Sequence, residues 1–329
     1  MTPAKRMRNT SIELLRILMM MLILTIHVYG HGSHLNYEWI YSLGNQPSTA
    51  WNLSLFSLGK IGVTGFIFIS GYFGIHIKRR SLEHLLLITL FYAAILGVIF
   101  HQYHPRQLLS LLYAFDTWWF VSAYIFIMLL APFLEEGIKR ITQRQYILLL
   151  GGMLFYEYFM RFLQMDNSHD ALFLLTVYLF ARYVKIYSNS KLALAGRRGG
   201  VICLILILLV PVAISLIGFK VEKLNALFIS NNNICLLLAS YSIVAFSESH
   251  VFHNKCINRL ASGSLAIYLI TDYPSVREVL DPWLLPYLLK GYGLLMVLGI
   301  CLSALAIDQL RNLLFEGVKF IGRQFNKGQ

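Results

Sequence analysis

Long apolar runs follow one another along the chain and are separated by short polar segments. They predict about ten membrane-spanning helices, with the approximate bounds 11–30, 53–75, 82–100, 117–134, 145–163, 171–187, 200–218, 225–246, 260–273 and 284–307. About twenty apolar residues suffice for a helix to cross the hydrocarbon core of a bilayer. The runs lack the alternation of a membrane β-barrel strand. The pattern therefore predicts an all-α integral membrane protein, with residues 1–329 forming a single transmembrane domain.

Composition agrees with this class of protein. Hydrophobic residues make up 57% of the chain, charged residues only 13%, and the mean hydropathy is +0.62. Such a chain cannot have the wetted surface of an ordinary soluble domain. The positions of the basic residues explain the net charge of +12. Under the ten-span topology, most of the 28 Lys and Arg residues lie on the same side of the membrane as the N-terminus. Basic loops lie in the cytoplasm, so both termini are expected there and no nucleic-acid partner is needed.

A metal site is not expected from the sequence. The four cysteines are scattered, mostly within the predicted spans, and have no metal-ligand spacing. Three histidines around the first outer loop, at positions 27, 31 and 34, lack a carboxylate or Cys at ligand spacing. We interpret that loop as an aromatic, polar segment at the outer interface.

The first predicted helix carries three side chains that are costly to place in lipid: Glu13, Arg16 and His27. Eleven residues separate Arg16 from His27, which at about 100° per residue puts both on one helix face. Glu13 is one turn before Arg16 and can pair with it. Ionisable groups inside a span usually face a protein interior or a wet cavity. The pair is thus a candidate site, although Arg16 alone is also explained by reaching to the interface and His27 by a structural hydrogen bond.

The second predicted helix is rich in small residues and is followed by a basic triplet. Ser70 and Gly71 belong to its stretch GVTGFIFISGYF, and small residues let a ligand or another helix approach the backbone. The triplet consists of Lys78, Arg79 and Arg80. It is explained either as a topology signal or as a phosphate clamp, because Arg binds phosphate through two parallel hydrogen bonds.

Four segments, taken in order, resemble the membrane-bound acyltransferase-3 family. RNTSIELLRILMMMLILTIH is similar to the opening of that family, including its Arg-x10-His signature, here Arg16 and His27. GVTGFIFISGYF with the basic triplet resembles the glycine-rich second-span motif and the cluster after it. TWWFVSAYIFIMLLAP and ASGSLAIYLITDYP resemble later family segments, so the resemblance covers nearly the whole chain.

The resemblance implies a membrane O-acyltransferase that uses acyl-CoA from the cytoplasm, acetyl-CoA first of all, and a saccharide hydroxyl outside or on a lipid carrier. It implies a multi-pass protein of the bacterial inner membrane, surrounded by lipid and without a permanently bound cofactor. On this basis His27 is expected to be the general base and Arg16 to bind the donor or orient the site. The residues expected to contact the donor are Lys78, Arg79, Arg80, Ser70 and Gly71. Those expected to contact the acceptor are Glu38, Trp118, Trp119 and Asp272.

The chain departs from the family at one motif position. Many relatives carry His after the late Tyr-Leu-Ile, whereas this chain has Thr271 followed by Asp272. Two other classes of function therefore stay open. A transporter or flippase for a lipid-linked saccharide also has intramembrane ionisable groups, but no paired halves with matching broken helices are found. A non-catalytic member of the family is the second.

Overall fold

The computed structural model describes residues 8–31, 47–75, 79–100, 117–162, 171–217 and 233–325. Within these ranges all regular structure is helical. The helices are α1 (Thr10–Ile26), extended by a π-helical turn (His27–His31), α2 (Pro47–Gly59), α3 (Ile61–Phe73), α4 (Arg79–Ile99), α5 (Trp119–Arg140), α6 (Gln143–Phe162), α7 (Ala171–Ile186), α8 (Lys191–Ile217), α9 (Ile234–Ser249), α10 (Lys255–Ala261), α11 (Ser264–Thr271), α12 (Pro274–Leu289) and α13 (Gly293–Phe325).

Six described segments are long and apolar enough to cross a membrane: Thr10–Gly30, Trp51–Phe73, Arg79–Ile99, Trp119–Arg140, Lys191–Ala213 and Gly293–Glu316. The helix Ile234–Ser249 is apolar but shorter. The prediction of an all-α, multi-pass membrane protein is thereby confirmed for the described residues. The count of ten spans and the direction of the termini stay predictions.

Helix α1 lies at the centre of the bundle and packs against α2, α3, α9, α10, α11 and α13. Its first turn is capped by Asn9, whose side-chain oxygen accepts from the Ser11 amide at 3.0 Å. A capping oxygen satisfies one of the amides that have no partner inside the helix. Thr10 then ties α1 to the segment between α9 and α10, because its amide donates to the Phe252 carbonyl at 3.0 Å.

The small residues of α3 allow unusually close packing against α1. A Cβ added to Gly62 would lie 2.6 Å from the Met19 carbonyl oxygen. Added to Gly65, it would collide with the Met19 side chain. Close helix approach therefore accounts for this part of the glycine pattern.

Charged side chains meet at the end of the bundle where α1 begins. Arg182 on α7 pairs with Glu135 on α5: its Nη2 donates to Oε2 at 2.6 Å, and its Nε lies 2.6 Å from Oε1. Glu248 on α9 accepts from Lys185 at 2.5 Å and from the Tyr72 hydroxyl at 2.6 Å. These contacts join the C-terminal ends of α3, α5, α7 and α9. His27 lies at the opposite end of α1.

Two predicted spans and one predicted connecting segment differ in detail from the helices observed. The second is divided at Lys60 into α2 and α3, and the ninth is divided into α10 and α11 by a turn at Ser262–Gly263. Residues 274–283, which the prediction places between two spans, form the first part of α12. Pro274 occupies the first turn of that helix, where its missing N–H and fixed φ are tolerated.

Candidate active site around His27

His27 is the first residue of the π-helical turn that extends α1. Its side chain is 12% exposed, and the turn contacts α2, α12 and α13. A π-helical turn is rare and frequently coincides with a functional site. The histidine is therefore enclosed by protein, as the sequence predicted.

A carboxylate lies beside this imidazole and is shared with a guanidinium. Asp272 Oδ1 is 3.6 Å from His27 Nε2 and 3.7 Å from Arg277 Nη1. Asp272 follows the last residue of α11 and is buried, whereas Arg277 lies in the second turn of α12 and is 32% exposed. The distances exceed those of a good hydrogen bond, so the attraction among the three groups is electrostatic.

Thr271 contacts the other ring nitrogen. Its Oγ1 lies 3.5 Å from His27 Nδ1, and its hydroxyl donates to the Ile267 carbonyl at 2.7 Å. Because that proton is engaged with Ile267, the Thr271 oxygen presents lone pairs to the ring. In the neutral ring, an Nδ1–H that donates to Thr271 leaves the lone pair on Nε2, the nitrogen beside Asp272.

These residues open onto a small pocket. It is lined by His27, Thr271 and Arg277 together with Asp281 and the apolar side chains of Leu24, Val28, Leu280, Leu284 and Ile300. The cavity has a volume of about 10 Å³, room for about one water molecule. An acyl group could therefore lie beside the imidazole only if the lining side chains move apart.

An aromatic wall adjoins the site on the side of α5 and α11. The Tyr268 ring lies 5.9 Å from that of His27 and 5.8 Å from that of Phe120. Trp118, a predicted acceptor contact, is fully buried with its ring 6.0 Å from Tyr273, and its Nε1 has no hydrogen-bond acceptor among the described residues. Trp119 is half-buried and meets Phe120 edge to face. Both tryptophans therefore lie at the His27 end of the bundle.

Arg16 pairs with Glu13 at 2.7 Å, which confirms the expected one-turn contact. Its side chain is 34% exposed. The α1 face between Arg16 and His27 is filled by Met20 and Ile23, which are 0% and 2% exposed. Along this face the structure contains packed side chains and not a continuous water-lined seam.

The predicted donor residues lie apart from His27. Arg79 is exposed and pairs with Glu83 at 2.6 Å, and Arg80 is exposed as well. Ser70 donates to the Phe66 carbonyl at 3.2 Å and lies 3.3 Å from the Tyr124 hydroxyl.

Gly71 faces another helix. A Cβ added there would lie 2.6 Å from the Tyr178 carbonyl oxygen of α7. Its small size therefore serves helix packing in this structure. Two further predicted contacts, Lys78 with the donor and Glu38 with the acceptor, lie outside the described residues.

Arg277 is the site residue that the sequence analysis missed. It follows Asp272 by five residues, with Pro274 between them as a helix-start signal. A helix beginning at Pro274 brings its early turns back toward the end of α11. That proline was the available signal for placing Arg277 beside Asp272.

A sequence profile described as an acyltransferase domain matches residues 9–308, which is most of the chain. The chain belongs to the acyltransferase-3 family. Searches of curated proteins and of solved structures found no match. Membership of the acyltransferase-3 family and the apolar helices together identify a multi-pass membrane acyltransferase.

Proposed function

We propose that this acyltransferase moves an acyl group, acetyl in the first instance, from cytoplasmic acyl-CoA to a hydroxyl of an extracytoplasmic or lipid-linked saccharide. The observation that carries the proposal is the enclosed His27 beside Asp272 and Arg277 at a pocket, within a chain of the acyltransferase-3 family. A histidine in hydrogen-bond reach of a bound hydroxyl is suited to general-base catalysis.

In the proposed step, neutral His27 accepts the proton of the saccharide hydroxyl while its oxygen attacks the thioester carbonyl. A carbon–oxygen bond forms, the carbon–sulfur bond breaks, and the thiolate of coenzyme A leaves. The imidazolium then returns its proton to that sulfur. The products are the O-acylated saccharide and free coenzyme A, and His27 regains its starting form.

The donor is proposed to approach from the end of the bundle where α1 begins. Exposed Arg79 and Arg80, together with Lys78, would bind the nucleotide phosphates, and Arg16 would contact the donor or orient it. Guanidinium groups suit phosphate binding because they donate two parallel hydrogen bonds. The charged contacts at this end, among them Arg182–Glu135 and Lys185–Glu248, support its assignment to the cytoplasm.

We also propose that the protein lies in the inner membrane of a bacterium, crosses it ten times and has both termini in the cytoplasm. The described helices α6, α7, α9 and the pair α10–α11 would supply the four spans beyond the six long apolar segments. On the opposite side, Trp119, Glu38 and Asp272 would contact the acceptor, and the fully buried Trp118 would pack behind them. The aromatic wall supports this, since sugars stack on aromatic faces.

The test uses inverted vesicles with purified protein, lipid-linked saccharide in the membrane and radiolabelled acetyl-CoA outside. We expect label in the saccharide for the wild type and a loss of roughly 10²- to 10⁴-fold for His27→Ala, the usual contribution of a general base. His250→Ala, at an exposed histidine of the other bundle end, is the matched control and is expected to retain wild-type transfer.

Two outcomes would contradict the proposal. Full transfer by His27→Ala would remove the general base. Movement of the saccharide across the membrane without incorporation of label would identify a transporter instead.

A further inference from the structure

Asp272 is a buried carboxylate that lies beside the imidazole of His27. Its side chain is 10% exposed, and its Oδ1 lies 3.6 Å from the imidazole and 3.7 Å from the guanidinium of Arg277. A carboxylate taken out of water needs a compensating charge close by. Arg277 supplies that charge while the imidazole is neutral.

The three groups then form a site whose charge balance depends on the catalytic proton. Before reaction, Asp272 and Arg277 cancel and His27 is neutral. When His27 takes a proton, the new positive charge appears next to the Asp272 oxygen that already faces Nε2. A fixed negative group at the place where positive charge develops lowers the barrier of a proton-transfer step.

Other charged groups also lie near the imidazole. Lys60 and Arg277 are positive, so neither can stabilise a positive charge on the ring. Asp281 lines the same pocket, one helical turn beyond Arg277. Asp272 Oδ1 is the carboxylate oxygen that lies 3.6 Å from His27 Nε2.

The ring is also held from the opposite edge. Thr271 Oγ1 lies 3.5 Å from Nδ1, so consecutive residues of one helix end face the two nitrogens. At the C-terminal end of α11, the Asp272 amide donates to the Tyr268 carbonyl at 2.9 Å, and this hydrogen bond fixes the last turn of the helix. The backbone therefore sets the distance between the two oxygens that flank the imidazole.

We infer that Asp272 is a positioning residue for His27, which orients the imidazole and stabilises its protonated form during acyl transfer, and that Arg277 is the counterion of Asp272. The inference rests on the proposed function, because it assigns the partners of the proposed base. It gives Asp272 a role through His27, in addition to the predicted contact with the acceptor.

The experiment measures kcat and the KM for acetyl-CoA in the vesicle assay for Asp272→Asn, Asp272→Glu and Glu278→Gln. Glu278 is an exposed carboxylate on α12 and serves as the matched control. We expect kcat of Asp272→Asn to fall at least about tenfold with the donor KM unchanged, the pattern of an interaction lost in the transition state. Asp272→Glu keeps the charge and is expected to recover part of kcat, whereas Glu278→Gln keeps all of it.

If the Asp272→Asn protein reaches a lower level in the membrane than the wild type, the double variant Asp272→Asn/Arg277→Gln is measured in its place, because it leaves no unbalanced buried charge. It is expected to accumulate normally and to remain slow. Wild-type kcat in either Asn variant, with His27→Ala inactive, would overturn this inference and leave the proposed function standing. An active His27→Ala would instead overturn the proposed function.

Discussion

Gly62 and Met19 bring α3 and α1 into backbone contact: a Cβ on Gly62 would lie 2.6 Å from the Met19 carbonyl oxygen and 2.7 Å from the Ile23 amide nitrogen. Neither atom is the flexible end of a side chain, so neither can move aside alone. The position of α1 is thus fixed by α3 two turns before His27.

Gly62→Ala is expected to destabilise the protein by about 1–3 kcal/mol, the usual cost of adding volume to a packed core. The measurement is the thermal midpoint of the detergent-solubilised protein. Gly152→Ala on α6 is the matched control, because nothing lies within 4 Å of its added Cβ. Equal midpoints for the two variants would contradict the close packing of α1 and α3.

The basic residues after α3 provide a second prediction. Replacing Arg79 and Arg80 together by Ala should raise the KM for acyl-CoA while leaving the KM for the acceptor unchanged, because only the donor carries nucleotide phosphates. Lys139→Ala/Arg140→Ala removes an exposed basic pair from the end of α5 and controls for net charge. Unchanged donor dependence in Arg79→Ala/Arg80→Ala would reduce that pair to a topology signal.

Thr271 gives a third prediction. Thr271→Val keeps the shape of the side chain but removes the oxygen that faces His27 Nδ1. Transfer should slow by about fivefold, which corresponds to one hydrogen bond of about 1 kcal/mol. Thr271→Ser keeps the hydroxyl and is expected to retain wild-type kcat. A Val variant as fast as the wild type would show that this oxygen does not act on the ring.

The contact between Glu135 and Arg182 gives a fourth prediction. Glu135→Gln removes the charge that binds Arg182 at 2.6 Å and accepts from the Tyr178 hydroxyl at 2.9 Å. The free energy of unfolding is expected to fall by about 1–3 kcal/mol, as for hydrogen bonds to charged groups, with kcat unchanged because the contact lies at the other end of the bundle from His27.

The neighbouring Glu136→Gln is its control. Glu136 pairs with Lys139 and Arg140 in an exposed position, and such surface pairs contribute little. The two variants are compared by denaturant unfolding in detergent. A larger loss of stability in Glu136→Gln than in Glu135→Gln would contradict the assignment.

The hydrophobic pattern was sufficient to predict the apolar helices, and the pairing of Glu13 with Arg16 followed from helical spacing. It was not sufficient to divide the second span at Lys60, because the flanking residues are apolar on both sides of the turn. The prolines at 274, 282 and 286 also concealed α12, since two of them lie inside that helix, where proline is normally unfavourable.

The sequence predicted only part of the site, and the reason differs from that for the helices. His27 stood out as an ionisable group in an apolar helix, which a single segment can reveal. Its contact with Thr271 spans 244 positions of the sequence, and no local pattern encodes such a distance. The family motif indicated that this late segment matters, but only the packing of α11 against α1 brings its two oxygens to the imidazole.

The side chains of Met20 and Ile23 also affect how the protein keeps ions from leaking. An enzyme that couples a cytoplasmic donor to an acceptor on the far side would dissipate the proton gradient if it contained a permanent aqueous bore. Here hydrocarbon occupies the α1 face between Arg16 and His27, so protons have no hydrated route along it. In the proposed reaction, a thioester arm that follows this face would have to displace these two side chains.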